Sequence, residues 1–328
     1  MPLKGQARCA ITDAHPRRLP RVRAAGFHAR MTTYGYTAVD LSRLPAPAVV
    51  EALSFEQIFA DMLADLAARD ASFTALVESD PAYKLLQVCS YRELLLRQRV
   101  NDAAKGVMLA YAQKGDLDNL GALLGVTRLQ LDPGDPSHSI QPTMESDPDY
   151  RRRITLAPEG FSVAGPEGAY IYHALSADPD VLDASATSPS PGEVVVSVLA
   201  RSGDGSAPQA TLDAVAERLS SASVRPLTDH VTVQSAAIVP FAIIGTRYTF
   251  AGPDSAVVLA ASDAGLAAYL DESHRLGRDI TLSGLAAAIT VPGIQRVDLT
   301  APAANIAIDR TQAAHCTGID LAYGGTDE

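Results

Sequence analysis

At 328 residues and 47% hydrophobic composition, the chain is long enough for two or three modest cores. It has no run of about 18 apolar residues, which excludes a membrane-spanning helix. Residues 1–30 carry seven Lys and Arg against Asp13, a net +6, leaving −17 of the total −11 on the rest of the chain. An acidic body repels phosphate backbones and argues against nucleic acid as a partner, and 5% aromatic content without Trp argues against stacking platforms.

The basic leader, residues 1–30, lacks the apolar core of a secretory signal and reads as a disordered extension upstream of a true start at Met31. Residues 31–50, with Pro45 and Pro47, read as an extended arm. A helical region spans 51–126. Ser54 followed by Gln57 is a capping-box pattern, and Phe55, Ile58, Phe59, Met62, Leu63 and Leu66 recur at helical spacing.

Residues 83–113 are free of proline and predict one long helix. Along it Leu86, Cys89, Glu93, Leu96, Val100, Ala103, Val107 and Ala110 alternate in steps of three and four, the repeat of a coiled-coil seam, with Glu93 alone breaking the stripe. The pattern suits either an intermolecular bundle or a long helix packed inside its own domain. Asp116 and Gly125 bracket a short third helix. Residues 127–165, rich in Pro, Gly, Asp and Ser, read as a linker.

The character then changes to mixed α/β. Residues 166–237 show helix 165–175, strands 181–187 and 193–200, a helix opened by Pro208 and a strand over 230–239. The strand EVVVSVLA is apolar on nearly both faces, as expected if helices or a neighbouring module cover it. Residues 238–328 repeat the type: strand 241–250, helices 254–274 and 281–289, and strands 294–300, 305–308 and 316–323. The fold class is therefore α+β, an N-terminal helical region followed by two small two-layer α/β modules.

No constellation of catalytic type emerges. The seven histidines never fall at H-x-H or H-x-x-x-H spacing, Cys9, Cys89 and Cys316 lie far apart, and His315–Cys316 is an isolated dipeptide, so no metal or cofactor is expected. GFSVAGPEG (160–168) has Ala164 where a nucleophile elbow needs glycine, and reads as a bend before a helix. SGDG (202–205) is a turn, and the acids Asp116/Asp118 and Asp147/Asp149 read as capping or solvated groups. Two basic clusters stand out in an acidic chain. Arg151, Arg152 and Arg153 form one, and Arg275 with Arg278 the other; they either pair with local carboxylates on a solvated surface or form salt bridges between subunits.

Several long segments carry a family likeness: VDLSRLPAPAVVEALSFEQI, AYKLLQVCSYRELLLRQRVNDAAKGVMLAYAQKGDLDNLGALLGV, DPDYRRRITLAPEGFSVAGPEGAYIYHALSADPDVLDASATSPSPGEVVVSVLARSGDG, VRPLTDHVTVQSAAIVPF and HRLGRDI. From Met31 onward the chain resembles the baseplate J family of contractile-tail phages, which is similar to the wedge protein of T-even phages. The resemblance implies a structural wedge subunit, not an enzyme, made in the host bacterial cytoplasm and residing in the virion tail baseplate. Its implied partners are a second copy of itself, a companion wedge tail protein of the protein I type, and other wedge, hub and spike proteins. It further implies that the helical region contributes to a mixed bundle and that subunit contacts switch on contraction. A contractile bacteriocin or related device would use the same protein, and a soluble α/β enzyme with a site invisible as a motif is the alternative.

Overall fold

The computed structural model describes Leu41, Leu44, residues 53–252 and residues 254–327. The leader, and the arm apart from Leu41 and Leu44, lie outside the described residues.

From residue 53 the described residues form a helical hairpin. Helix α1 (Phe55–Arg69) starts where Ser54 Oγ accepts from Gln57 N at 3.2 Å, but only half the capping box forms, because the Gln57 amide donates to Asp61 instead. Ile58 is buried on the face turned to α2 (Pro81–Gly106), and the rings of Phe59 and Tyr83 meet edge to face at 4.9 Å. Pro81 sits in the first turn of α2, where its missing N–H leaves nothing unsatisfied. Helix α2 stops at Gly106, seven residues short of the expected end. A Cβ at Gly106 would lie 2.9 Å from the Asp116 carboxylate of helix α3 (Lys114–Leu123), so the glycine permits the close return of the chain. Val107 and Ala110 therefore lie beyond the helix. Gln113, not Asp116, occupies the cap position of α3.

Residues 127–165 are not a plain linker. They contain a small antiparallel pair, β1 (Gln130–Asp132) with β2 (Thr143–Met144), and a full helix, α4 (Asp147–Leu156). Ser146 caps α4, and Pro148 falls in its first turn, so the punctuation that suggested a loop is a helix start. Tyr150, Ile154 and Ala157 of this segment pack with Ala112, Leu117 and Val126 as the core of the helical region. The Tyr150 hydroxyl donates to Val126 O at 2.8 Å across Gly121.

The first α/β module follows the expected order: α5 (Glu167–Leu175), β3 (Val181–Thr187), β4 (Glu193–Ala200), α6 (Gln209–Ser220) and β5 (His230–Ser235). Its sheet runs β3-β4-β5, antiparallel then parallel. Val196 and Val198 face Ile171, Val215 and Leu219 of the helices. On the other face Leu199 packs with Ala236 and Ala313, the latter from the second module, which explains why β4 is apolar on both sides. Burying each large aliphatic side chain of this kind contributes ~1.5–3 kcal/mol.

In the second module β6 (Ala237–Thr249) lies between β7 (Ile294–Ala301), antiparallel, and β8 (Gln312–Thr326), parallel. Helices α7 (Ser255–Ser273) and α8 (Leu282–Ile289) cover one face, with Leu266, Leu285 and Ile289 against Phe241 and Ile243. Two expectations change here. The strand expected over 230–239 is split at Ala236, whose N–H bonds Val198 O, while Ala237 N bonds Thr311 O in the next module. Pro240 is accommodated in β6 because β7 pairs only from Ile244 onward. Residues 305–308 are not a strand but a loop tied to Ile280 through one bridge at Ile306.

Candidate interface surfaces

The stripe on α2 is exposed along most of its length. Its α1-facing side carries buried Ser90 and Asn101, whereas Leu96 (65% exposed), Val100 (67%), Cys89 and Ala103 stand in solvent and Leu86 is half-buried at the margin. Val107, at 73% exposure, follows the helix end. Leu85, at 66% exposure, falls on the same stripe. Glu93, the residue that interrupts the stripe, is paired with Arg97 one turn on, at 2.6 Å. Contiguous exposed apolar area of this kind marks a binding surface more often than scattered single residues do.

The two arginine clusters are placed differently from each other. Arg151, Arg152 and Arg153 turn into the chain's own fold. Arg151 donates to Leu109 O and Ala112 O at 2.7 Å, closing the turn between α2 and α3. Arg153 is buried, bidentate on Glu145 at 2.6 and 2.8 Å and bonded to Thr127 O. Arg152 reaches Asp183 at 2.6 Å, and that electrostatic attraction, opposed by burial, raises the guanidinium's pKa. Arg275 is also engaged within the chain, and Arg278 lies at the surface paired with Glu272.

Asp149, read from sequence as a solvated acid, is a junction. From α4 its carboxylate takes Arg201, just after β4, at 2.7 Å and Arg275, just after α7, at 3.1 Å. Burial acts most strongly on this carboxyl and opposes its charge, yet the two arginines outweigh it and hold the pKa below the usual value of 3.8. Asp183 beside it accepts from Leu276 N at 3.0 Å. Arg310 adds a second tie, bonding the Glu167 carboxylate and Ala186 O. The helical region and both α/β modules are thus joined by charge pairs of low exposure. Sequence reasoning missed these acids, and the only local sign was Arg153, which falls on the buried face of α4 beside Tyr150 and Ile154.

Among the described residues no group of three or more His, Cys, Asp or Glu is arranged to hold a metal ion. A cleft of about 380 Å³ is lined by Phe241, Leu270, His274, Ile280, His315 and Cys316. There the two imidazoles meet edge to face at 5.8 Å, His274 Nδ1 bonds Ala314 O at 2.7 Å, and burial raises the Cys316 thiol, which makes it a poorer nucleophile. SGDG is a turn with Gly203 and Gly205 at positive φ, and Gly165 forms the bend before α5.

Three family models match in order: the Baseplate J-like N-terminal domain over residues 78–135, the central domain over 162–235 and the C-terminal domain over 244–322. Baseplate protein J of Escherichia phage P2 is 50% identical over 300 residues, covering 88% of this chain and 99% of that protein. The chain belongs to the baseplate J family. A chain of the anti-feeding prophage baseplate, solved by cryo-electron microscopy, aligns over 45% of this chain and 36% of its own length at 15% identity, with a TM-score of 0.35, too slight a likeness to bear on fold.

Mapped on this baseplate J chain, the N-terminal match covers α2 through β1, the central match covers the first α/β module, and the C-terminal match runs from within β6 into β8. Helix α4 falls between the first two matches and supplies Asp149, whose arginine partners come from the central and C-terminal matches. Family membership at this level supports a structural role in a baseplate. No helix among the described residues is long and apolar enough to cross a membrane.

Proposed function

We propose that this chain is a wedge subunit of a contractile-tail baseplate, in a phage or a tail-derived particle, and that its function lies in its interfaces. The observation that carries this reading is the exposed apolar face of α2, displayed on a body whose modules are fastened by charge pairs of low exposure. Leu86, Cys89, Leu96, Val100, Ala103 and Val107 present the surface that joins a second copy and a companion wedge protein of the protein I type. The α/β modules meet neighbouring copies around the hub and spike. The body moves as a unit when subunit contacts rearrange on contraction, the rigid-body mode of switching. Association then adds to the stability of the free chain by mass action. The protein is made in the host cytoplasm and ends in the tail baseplate.

The test is negative-stain electron microscopy of lysates from a strain deleted for this gene, beside a complemented control. Loss of complete sheathed tails in the deletion alone is expected; normal infective tails in both would refute the proposal.

A further inference from the structure

The outer edge of β8 lies open. Its start is bridged by Leu276 to Ala313, but over residues 315–326 its only strand partner among the described residues is β6. Twelve residues extend ~40 Å at about 3.3 Å each. An open row of N–H and C=O groups templates another strand, so proteins blunt such edges with charge, proline, bulges or cover. The edges at β7 and β3 are treated in that way. Strand β7 carries Arg296 and Asp298 and runs into Pro302. Strand β3 is held near its end by Arg310, which bonds Ala186 O and the Ser185 hydroxyl through its guanidinium and its carbonyl respectively. Strand β8 is irregular between Cys316 and Gly318 and between Tyr323 and Thr326, but between these points residues 318–323 run in unbroken register and contain one charge, Asp320, with no lysine or proline.

The register with β6 places Ile319, Leu321 and Tyr323 on the face of Ile243, Gly245 and Arg247. Helices α7 and α8 cover that face over β6 and β7, and they leave Ile319 52% and Tyr323 45% exposed. Asp320 and Ala322 project on the opposite face. An apolar strip therefore adjoins an unpaired backbone edge.

We propose that a second copy of the chain adds its own β8 to this edge, antiparallel, about a two-fold axis through Leu321. Directly opposed residues in an antiparallel pair share a face, so the axis must pass through a residue and not between two. Through Leu321 it sets Ile319 opposite Tyr323 of the second copy, Leu321 opposite itself and Asp320 opposite Ala322. An axis through Asp320 would oppose two carboxylates, and one through Ala322 would leave Ile319 facing Gly325. Only the Leu321 axis pairs every apolar residue of the strip and keeps the acids apart, and it makes a self-complementary contact of the kind closed dimers require. The inference rests on the reading that neighbouring copies meet through their α/β modules.

The test is sedimentation velocity of the full chain across a concentration series. Wild type is expected to self-associate. Ile319→Lys, at an exposed position that leaves the monomer folded, weakens association by about tenfold or more through two symmetric lost pairs. Ala322→Lys tightens it, because each new lysine faces an Asp320. Leu321→Cys, with Cys9, Cys89 and Cys316 changed to Ser, gives a covalent dimer on mild oxidation. A chain that stays monomeric and does not cross-link overturns the proposal. A dimer that Ile319→Lys leaves intact, but that glutamates at Val100 and Val107 dissolve, also overturns it while leaving the baseplate role standing. Sheathed tails that form normally without the gene would refute that role even if the β8 dimer were found.

Discussion

Replacing Asp149 with asparagine keeps the side chain's shape and removes the charge that Arg201 and Arg275 share. Removing one partner of a fully buried ion pair costs about 3–5 kcal/mol, because the remaining charge is left uncompensated. Here the arginines retain 23% and 25% exposure against 13% for Asp149, so the cost should fall to about 2–4 kcal/mol. The loss falls on the docking of modules, since the cores around Val196 and Ile243 lie elsewhere. The reporter is the Leu276 amide, adjacent to Arg275 and donating to Asp183, followed by native-state hydrogen exchange. Its protection should drop by about 30-fold to several hundredfold, at about 1.4 kcal/mol per tenfold, while amides of Val198 and Leu285 hold theirs. Neutralising Arg201 and Arg275 as well, as glutamines, should restore part of the protection, because no unpaired charge remains. Equal exchange at Leu276 in wild type and Asp149→Asn would refute the reasoning, as would an equal loss at the core amides.

The same group sets an acid limit. Its carboxyl is held below 3.8, so its contribution is present above that pH and disappears as pH falls through the lower folded-state value; Leu276 protection should be steady down to about pH 4 and then fall, with the step absent in Asp149→Asn. Gly121→Ala would place a Cβ 2.0 Å from the Tyr150 hydroxyl and should destabilise the helical core by about 1–3 kcal/mol, read as a lower Tm. Tyr150→Phe leaves Val126 O without its donor, at about 1–2 kcal/mol, and combined with Gly121→Ala it should cost less than the sum because the clashing oxygen is gone. Glutamates at Val100 and Val107 sit in solvent in the free chain, so circular dichroism should show it folded, whereas co-purification with the companion wedge protein should be abolished; retained binding by the folded variant would sink the α2 interface.

Local pattern carried much of the architecture. The strands Val181–Thr187 and Glu193–Ala200 match the expected spans, and Asp254 and Thr281 cap α7 and α8 where the expected helices begin. Periodicity of 2 or 3.6 and the preferences of capping residues act within a turn or a strand, so they are written in neighbouring letters. The stripe of α2 was legible for the same reason, whereas the family likeness rested on the resemblance of long collinear segments. Tertiary structure alone decided where α2 ends, because Gly106 yields to a carboxylate ten residues on. It also decided that α4 is a core helix, since its proline and acids resemble a loop until its apolar face meets Leu117 and Val126. Above all it decided what the charges do. Asp149 finds Arg201 52 residues away and Arg275 126 residues away, and Arg310 reaches back 143 residues to Glu167. A charge on a solvated helix and a charge that fastens modules are the same letter in sequence, and only burial against a distant partner distinguishes them.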